Sequence, residues 1–165
     1  MSIMFGPPSP FVGTPVEPPG DGAPESPIRY TNESIVRAAL AAGANAGGEE
    51  GNLALKLATG DGNVGVVRML LEAGADVRAR DDSALRCAVE NGQVDMAGVL
   101  LAAGANVHAE DNEALIWAAS QGDISMVRVL MAAGANVFAR GDAAIRRARF
   151  KGHAAVAAAL GLSRV

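Results

Sequence analysis

Cysteine is almost missing from this chain: Cys87 is the only one, so no intramolecular disulfide can form, and the thiol suits a reducing compartment. Aromatics are scarce too. Four Phe, one Tyr and one Trp in 165 residues mean that a core must be built from Ala, Val, Leu and Ile. Proline disappears early, all eight lying in residues 7–27, so nothing later in the chain interrupts a helix in that way. No run of about eighteen apolar residues occurs, and a membrane span is not expected. The opening Met-Ser-Ile-Met-Phe-Gly-Pro-Pro has neither a charged leader nor an unbroken apolar stretch, which makes a poor secretory signal. The sequon at Asn32-Glu33-Ser34 is accordingly expected to go unused.

Chemistry-bearing sets are lacking as well. His108 and His153 stand far apart, with no second His or Cys at ligand spacing, so no metal is expected. No Ser–His–Asp set or recurring carboxylate pair appears, and the acidic clusters (Asp81-Asp82, Glu110-Asp111) fall between repeats. Gly60-Asp61-Gly62-Asn63-Val64-Gly65 spells a dinucleotide fingerprint, but that motif needs a strand before it. Leu53–Thr59 aligns instead with helical segments elsewhere in the chain. The expectation is a non-enzyme without cofactor.

What the chain has is a block of thirty residues that returns four times. Asn52, Asp82, Asn112 and Asp142 fall in step, followed by Ala54, Ala84, Ala114 and Ala144, then Leu55, Leu85, Leu115 and Ile145. Ala58, Ala88, Ala118 and Ala148 keep register, as do Gly62, Gly92, Gly122 and Gly152, and Leu70, Leu100, Leu130 and Leu160. Three copies close on Leu-Glu-Ala-Gly-Ala-Asp (71–76), Leu-Ala-Ala-Gly-Ala-Asn (101–106) and Met-Ala-Ala-Gly-Ala-Asn (131–136). A period of this size means a stacked solenoid, in which each unit hides its apolar face only against its neighbours.

Within a unit the residues read as helix–turn–helix. Asn or Asp opens the first helix, its side-chain oxygen placed to accept from N–H groups two or three residues on. That helix runs about nine residues, for example Ala84 to Asn91, and stops at Gly92. A polar residue (Asn63, Gln93, Asp123 or His153) starts the second helix, which ends at Gly74, Gly104 or Gly134. Residues 1–30 read as a proline-rich disordered tail, and 31–165 as the repeat domain. The domain divides into a half repeat at 31–46 and repeats at about 47–76, 77–106, 107–136 and 137–165. Gly43 and Gly74 are one residue further apart than the period, which places an insertion at Gly47-Gly48-Glu49-Glu50.

Leu-x-x-Ala-x-x-x-Gly, followed by Val-x-x-Leu-Leu-x-x-Gly-Ala-Asp/Asn-Val, resembles the ankyrin repeat over roughly residues 32–162. The unit is shorter than the common 33 residues, and the usual Thr-Pro-Leu-His is absent. Asp-Ser-Ala-Leu-Arg, Asn-Glu-Ala-Leu-Ile and Asp-Ala-Ala-Ile-Arg stand in its place. This shortened form resembles the ankyrin repeats of giant DNA viruses of amoebae. The resemblance implies an all-α helix-turn-helix solenoid with tight loops in place of long β-hairpin fingers. It also implies an interaction module that binds a partner protein through its loops and the inner face of its first helices. Carried across, the loop positions are Arg80, Glu110 and Arg140, and the helix positions Glu90, Asn91, Ser120, Gln121, Phe150 and Lys151. A monomer in the cytoplasm is expected, that of the host cell if the source is viral. At its repeat position Trp117 reads as core filling, with an exposed anchor as the alternative, and His153 reads as a cap to the second helix.

Charge offers a second reading. Through residue 139 there are 8 basic and 17 acidic side chains, net −9; from Arg140 onward six basic residues face Asp142 alone, net +5. The basic final repeat is either a solvated end cap or a docking patch for nucleic acid or another acidic surface. A structural repeat fragment without a partner of its own is the third possibility.

Overall fold

The structure, a computed structural model, describes residues 33–162. The expected tail at residues 1–30 lies outside the described residues. Among those described there are nine helices and no strand: α1 (Glu33–Ala41), α2 (Glu49–Gly60), α3 (Val64–Glu72), α4 (Ala79–Glu90), α5 (Val94–Ala102), α6 (Ala109–Gln121), α7 (Ile124–Ala132), α8 (Ala139–Phe150) and α9 (Ala154–Leu162). The first helices α2, α4, α6 and α8 pack on one another in order, and α1, α3, α5, α7 and α9 form a second layer against them. The array is an all-α repeat solenoid. Among the described residues it opens on α1, which packs on α3 in the second layer.

Packing follows the thirty-residue register. Leu55, Leu85 and Leu115 are at most 1% exposed, and Leu70, Leu100, Leu130 and Leu160 are fully buried. Between the layers, Ala58, Ala88 and Ala148 are fully buried and Ala118 is nearly so, and their small side chains let each antiparallel pair close up. Helices of nine residues are marginal alone, so this burial is what keeps them folded.

The loops depart from the expected N-cap. Arg80-Asp81-Asp82, Glu110-Asp111-Asn112 and Arg140-Gly141-Asp142 each make a left-handed turn, with φ between +48° and +64°. Regular right-handed helix starts only after them. Held left-handed, the Asp82 and Asn112 side chains turn away from their own helix. Asp82 Oδ1 accepts from the Asn106 backbone N–H and Asn112 Oδ1 from that of Asn136, both at 2.6 Å. Asn52 does the same for Asp76 at 2.9 Å, from inside α2. The recurring Asn/Asp is therefore a clamp on the loop twenty-four residues ahead. Asn45, Asp76, Asn106 and Asn136 then fold those loops by accepting from the N–H two residues on, at 2.8–3.0 Å.

The insertion at 47–50 has a structural counterpart. There the left-handed turn is gone, and α2 begins directly after an extended Gly48. The preceding loop lies so close that a Cβ on Gly51 would sit 2.0 Å from the Ala46 carbonyl oxygen, which admits only glycine.

The second helices start in two ways. Asn63 and Asp123 cap their own helices, accepting from Val66 N and Met126 N at 3.1 and 2.9 Å. Gln93 and His153 instead cross to the preceding repeat: Gln93 Nε2 donates to the Gly60 carbonyl at 3.3 Å, and His153 Nε2 lies 3.1 Å from that of Ser120. The side chain of His153 thus ties two repeats together, which corrects its reading as a helix cap.

Candidate protein-interaction face

Side chains that stacking does not use gather on the loops and on the open face of the first helices. Positions 57, 87, 117 and 147 form one row: Leu57 is 43% and Trp117 39% exposed, Cys87 is half-buried and Arg147 is exposed. Trp117 is therefore not core filling. The stacking alanines and leucines on the same helices already fill the interior, which leaves the indole at the surface. One turn further on, Glu90 is exposed and Phe150 is 88% exposed. Asp61, Asn91, Gln121 and Lys151 continue the next row, all exposed, and their charge runs from negative through neutral to positive along the array.

Eight of the nine expected partner-binding residues lie on this surface. Ser120 does not: it is buried, and its hydroxyl donates to the Trp117 carbonyl at 2.8 Å. Its small side chain fits under the face, where the equivalent Glu90 and Phe150 cannot. The loop residues Arg80, Glu110 and Arg140 are engaged between repeats. Arg80 pairs with Glu49 at 2.8 Å and Glu110 with Arg86 at 2.5 Å, while Arg140 donates to the Glu110 carbonyl at 3.1 Å. Such exposed pairs contribute about 0–1 kcal/mol each, so a partner can displace them cheaply.

Between α4 and α6 the face dips into a groove lined by Arg86, Val89, Glu90, Glu110, Glu113, Ala114 and Trp117. Arg86 and Glu113 were not among the expected residues. Their signal in the sequence was spacing, since Arg86 stands four residues before Glu90 and Glu113 four before Trp117, one helical turn on the same face. At the far end, no ion pair among the described residues involves Arg147, Arg149 or Lys151. Burial, and next the Glu90 carboxylate, push the Cys87 thiol up from its ordinary range, which keeps it protonated and a poor nucleophile. The Gly60–Gly65 stretch follows helix α2 rather than a strand, so it lacks the geometry that cradles a pyrophosphate. No helix among the described residues is long and apolar enough to cross a membrane.

The ankyrin-repeat family model of three copies matches residues 28–111, and the single ankyrin-repeat model matches residues 113–142. No curated protein matches the chain. Most of α8 and all of α9 continue the stack beyond the last matched residue, Asp142.

Proposed function

Since the chain belongs to the ankyrin repeat family, we propose that it is a non-enzymatic module that binds a partner protein through its loops and first-helix face. The observation that carries this is the row of apolar and aromatic side chains left outside the core. Leu57, Trp117 and Phe150 stay exposed on helices whose shared Ala and Leu or Ile positions are buried in stacking. Aromatic side chains set among weak ion pairs suit the centre of a protein interface. The half-buried free thiol of Cys87 fits a reducing compartment, so the working location is the cytoplasm.

The test is a photo-crosslinking residue placed at Gln121, on the first-helix face, or at Arg128, on the exposed side of α7. In extracts of the native cell, crosslinks from position 121 and none from 128 are expected. Crosslinks from 128 alone would refute the reading. The basic repeat favours a second reading, in which Arg147, Arg149 and Lys151 hold a nucleic acid. Binding that falls steeply between low and moderate salt, and that is lost on changing those three residues alone, would establish it.

A further inference from the structure

The first-helix face is polarised across a single repeat step. On α6 and the end of α4, Trp117 lies in a groove with the carboxylates of Glu90, Glu110 and Glu113 against one cation, Arg86. Arg86 is already held by Glu110, Glu113 makes only a long 3.8 Å contact to Arg140, and Glu90 makes no ion pair among the described residues. One helix further, α8 and its C-cap present Arg147, Phe150 and Lys151, with Phe150 88% exposed and neither cation in an ion pair among the described residues. Adjacent helices pack at about 8–10 Å, the span of roughly three residues of extended chain.

We propose that this face takes an extended segment of a partner protein that is itself charge-polarised: a lysine or arginine side chain seated on Trp117 between Glu90 and Glu113, and acidic residues about three positions away against Arg147 and Lys151. The indole face attracts a cation through its quadrupole, and the two carboxylates without close partners supply the opposite charge. Arg147 and Lys151 make no ion pair among the described residues, so acidic residues of the ligand meet them at little cost. The proposal rests on the reading of the chain as a protein-binding module and names the chemistry of what it binds.

The probe is a fluorescein-labelled peptide with one lysine, two glycines and two aspartates in sequence, flanked by neutral residues. Its anisotropy is titrated at low salt with the whole protein. Two companions carry alanine for the lysine or asparagine for both aspartates. The polarised peptide should bind at least about tenfold more tightly than either companion, and Trp117, the sole tryptophan, should shift its emission on binding. Glu113→Gln and Glu90→Gln should weaken the polarised peptide several-fold and leave the acidic-only peptide unchanged; Trp117→Leu should act in the same direction. Equal binding of the polarised and acidic-only peptides would overturn the proposal. So would no binding at millimolar peptide, or a single-stranded DNA dodecamer that binds more tightly than the polarised peptide. Crosslinking from position 121 would persist through a failure of the peptide, which separates this idea from the broader reading.

Discussion

Replacing Asn112 tests the way successive repeats are tied. Its side chain is 5% exposed, and Oδ1 accepts from the Asn136 N–H at 2.6 Å while the residue itself sits left-handed at φ +64°. Asn112→Gly keeps the backbone conformation but removes the acceptor, leaving the Asn136 amide without its partner. A lost partner of this kind costs about 1–3 kcal/mol. Asn112→Ala removes the same bond and also forces a Cβ into left-handed backbone, which costs roughly 1–2 kcal/mol more. Glycine's greater freedom in the unfolded chain offsets about 0.5–1 kcal/mol of that difference. The expected order is therefore wild type, then Gly, then Ala, over a span of about 2–4 kcal/mol, a large part of an ordinary stability. Urea unfolding followed by far-ultraviolet circular dichroism gives the order, and amide exchange at Asn136 reports the bond directly. A cost for Asn112→Gly below about 0.5 kcal/mol, or unchanged protection at Asn136, would refute the clamp.

Three further outcomes follow from the same register. Burial, only partly offset by the Asn106 N–H, holds the Asp82 carboxyl above the ordinary aspartate range. A raised carboxyl contributes stability that is present at low pH and lost as pH rises through its folded-state value. Asp82→Asn, which copies Asn52 and Asn112, should thus raise the melting temperature at neutral pH, and the gain should shrink as pH falls through that range; a gain that does not shrink is the contrary result. Leu100→Ala should cost about 2–5 kcal/mol, and Leu160→Ala, in the last described repeat, whose described neighbours lie on one side only, should cost less; equal losses in denaturant titration would contradict a linear stack. Gly122 and Gly152 share left-handed backbone, at φ +77° and +81°, but a Cβ on Gly122 would lie 2.5 Å from the His153 ring while one on Gly152 meets nothing. Gly122→Ala should therefore lower thermal stability more than Gly152→Ala, by the bond from His153 to Ser120, on the order of 1 kcal/mol; equal losses would mean that bond is not made.

The repeat class, the helix pairs and the stacking positions were legible in the sequence because they recur at fixed spacing. Leu70 and its three equivalents declared themselves by recurrence alone. The role of Asn52, Asp82 and Asn112 was not legible, since an Asx residue before a helix reads as a local cap. At Asp82 and Asn112 a left-handed backbone, which the sequence does not advertise at Arg80 or Glu110, swings the oxygen to the next loop, while Asn52 reaches it from inside α2. On the candidate face, Phe150 and Gln121 followed from alignment to the repeat. Ser120 is buried where Glu90 and Phe150 point outward, because a short hydroxyl finds a carbonyl one turn back. Trp117 was misjudged for a related reason: size and hydrophobicity favour burial, yet the space beneath was already taken by residues every repeat shares.

At the three seams between the full repeats described, the backward tie is made, missing and made again. Gln93 reaches back to Gly60 and His153 to Ser120, while between them Asp123 caps its own helix. The described repeats therefore go in twos. A shuffled version lacking 77–106 would bring two self-capping repeats side by side, with no backward tie at the new seam. Excising 60 residues instead keeps the alternation intact. The natural module for lengthening, shortening or recombining this scaffold is thus the pair, even though the eye and the hydrophobic pattern both read a single repeat.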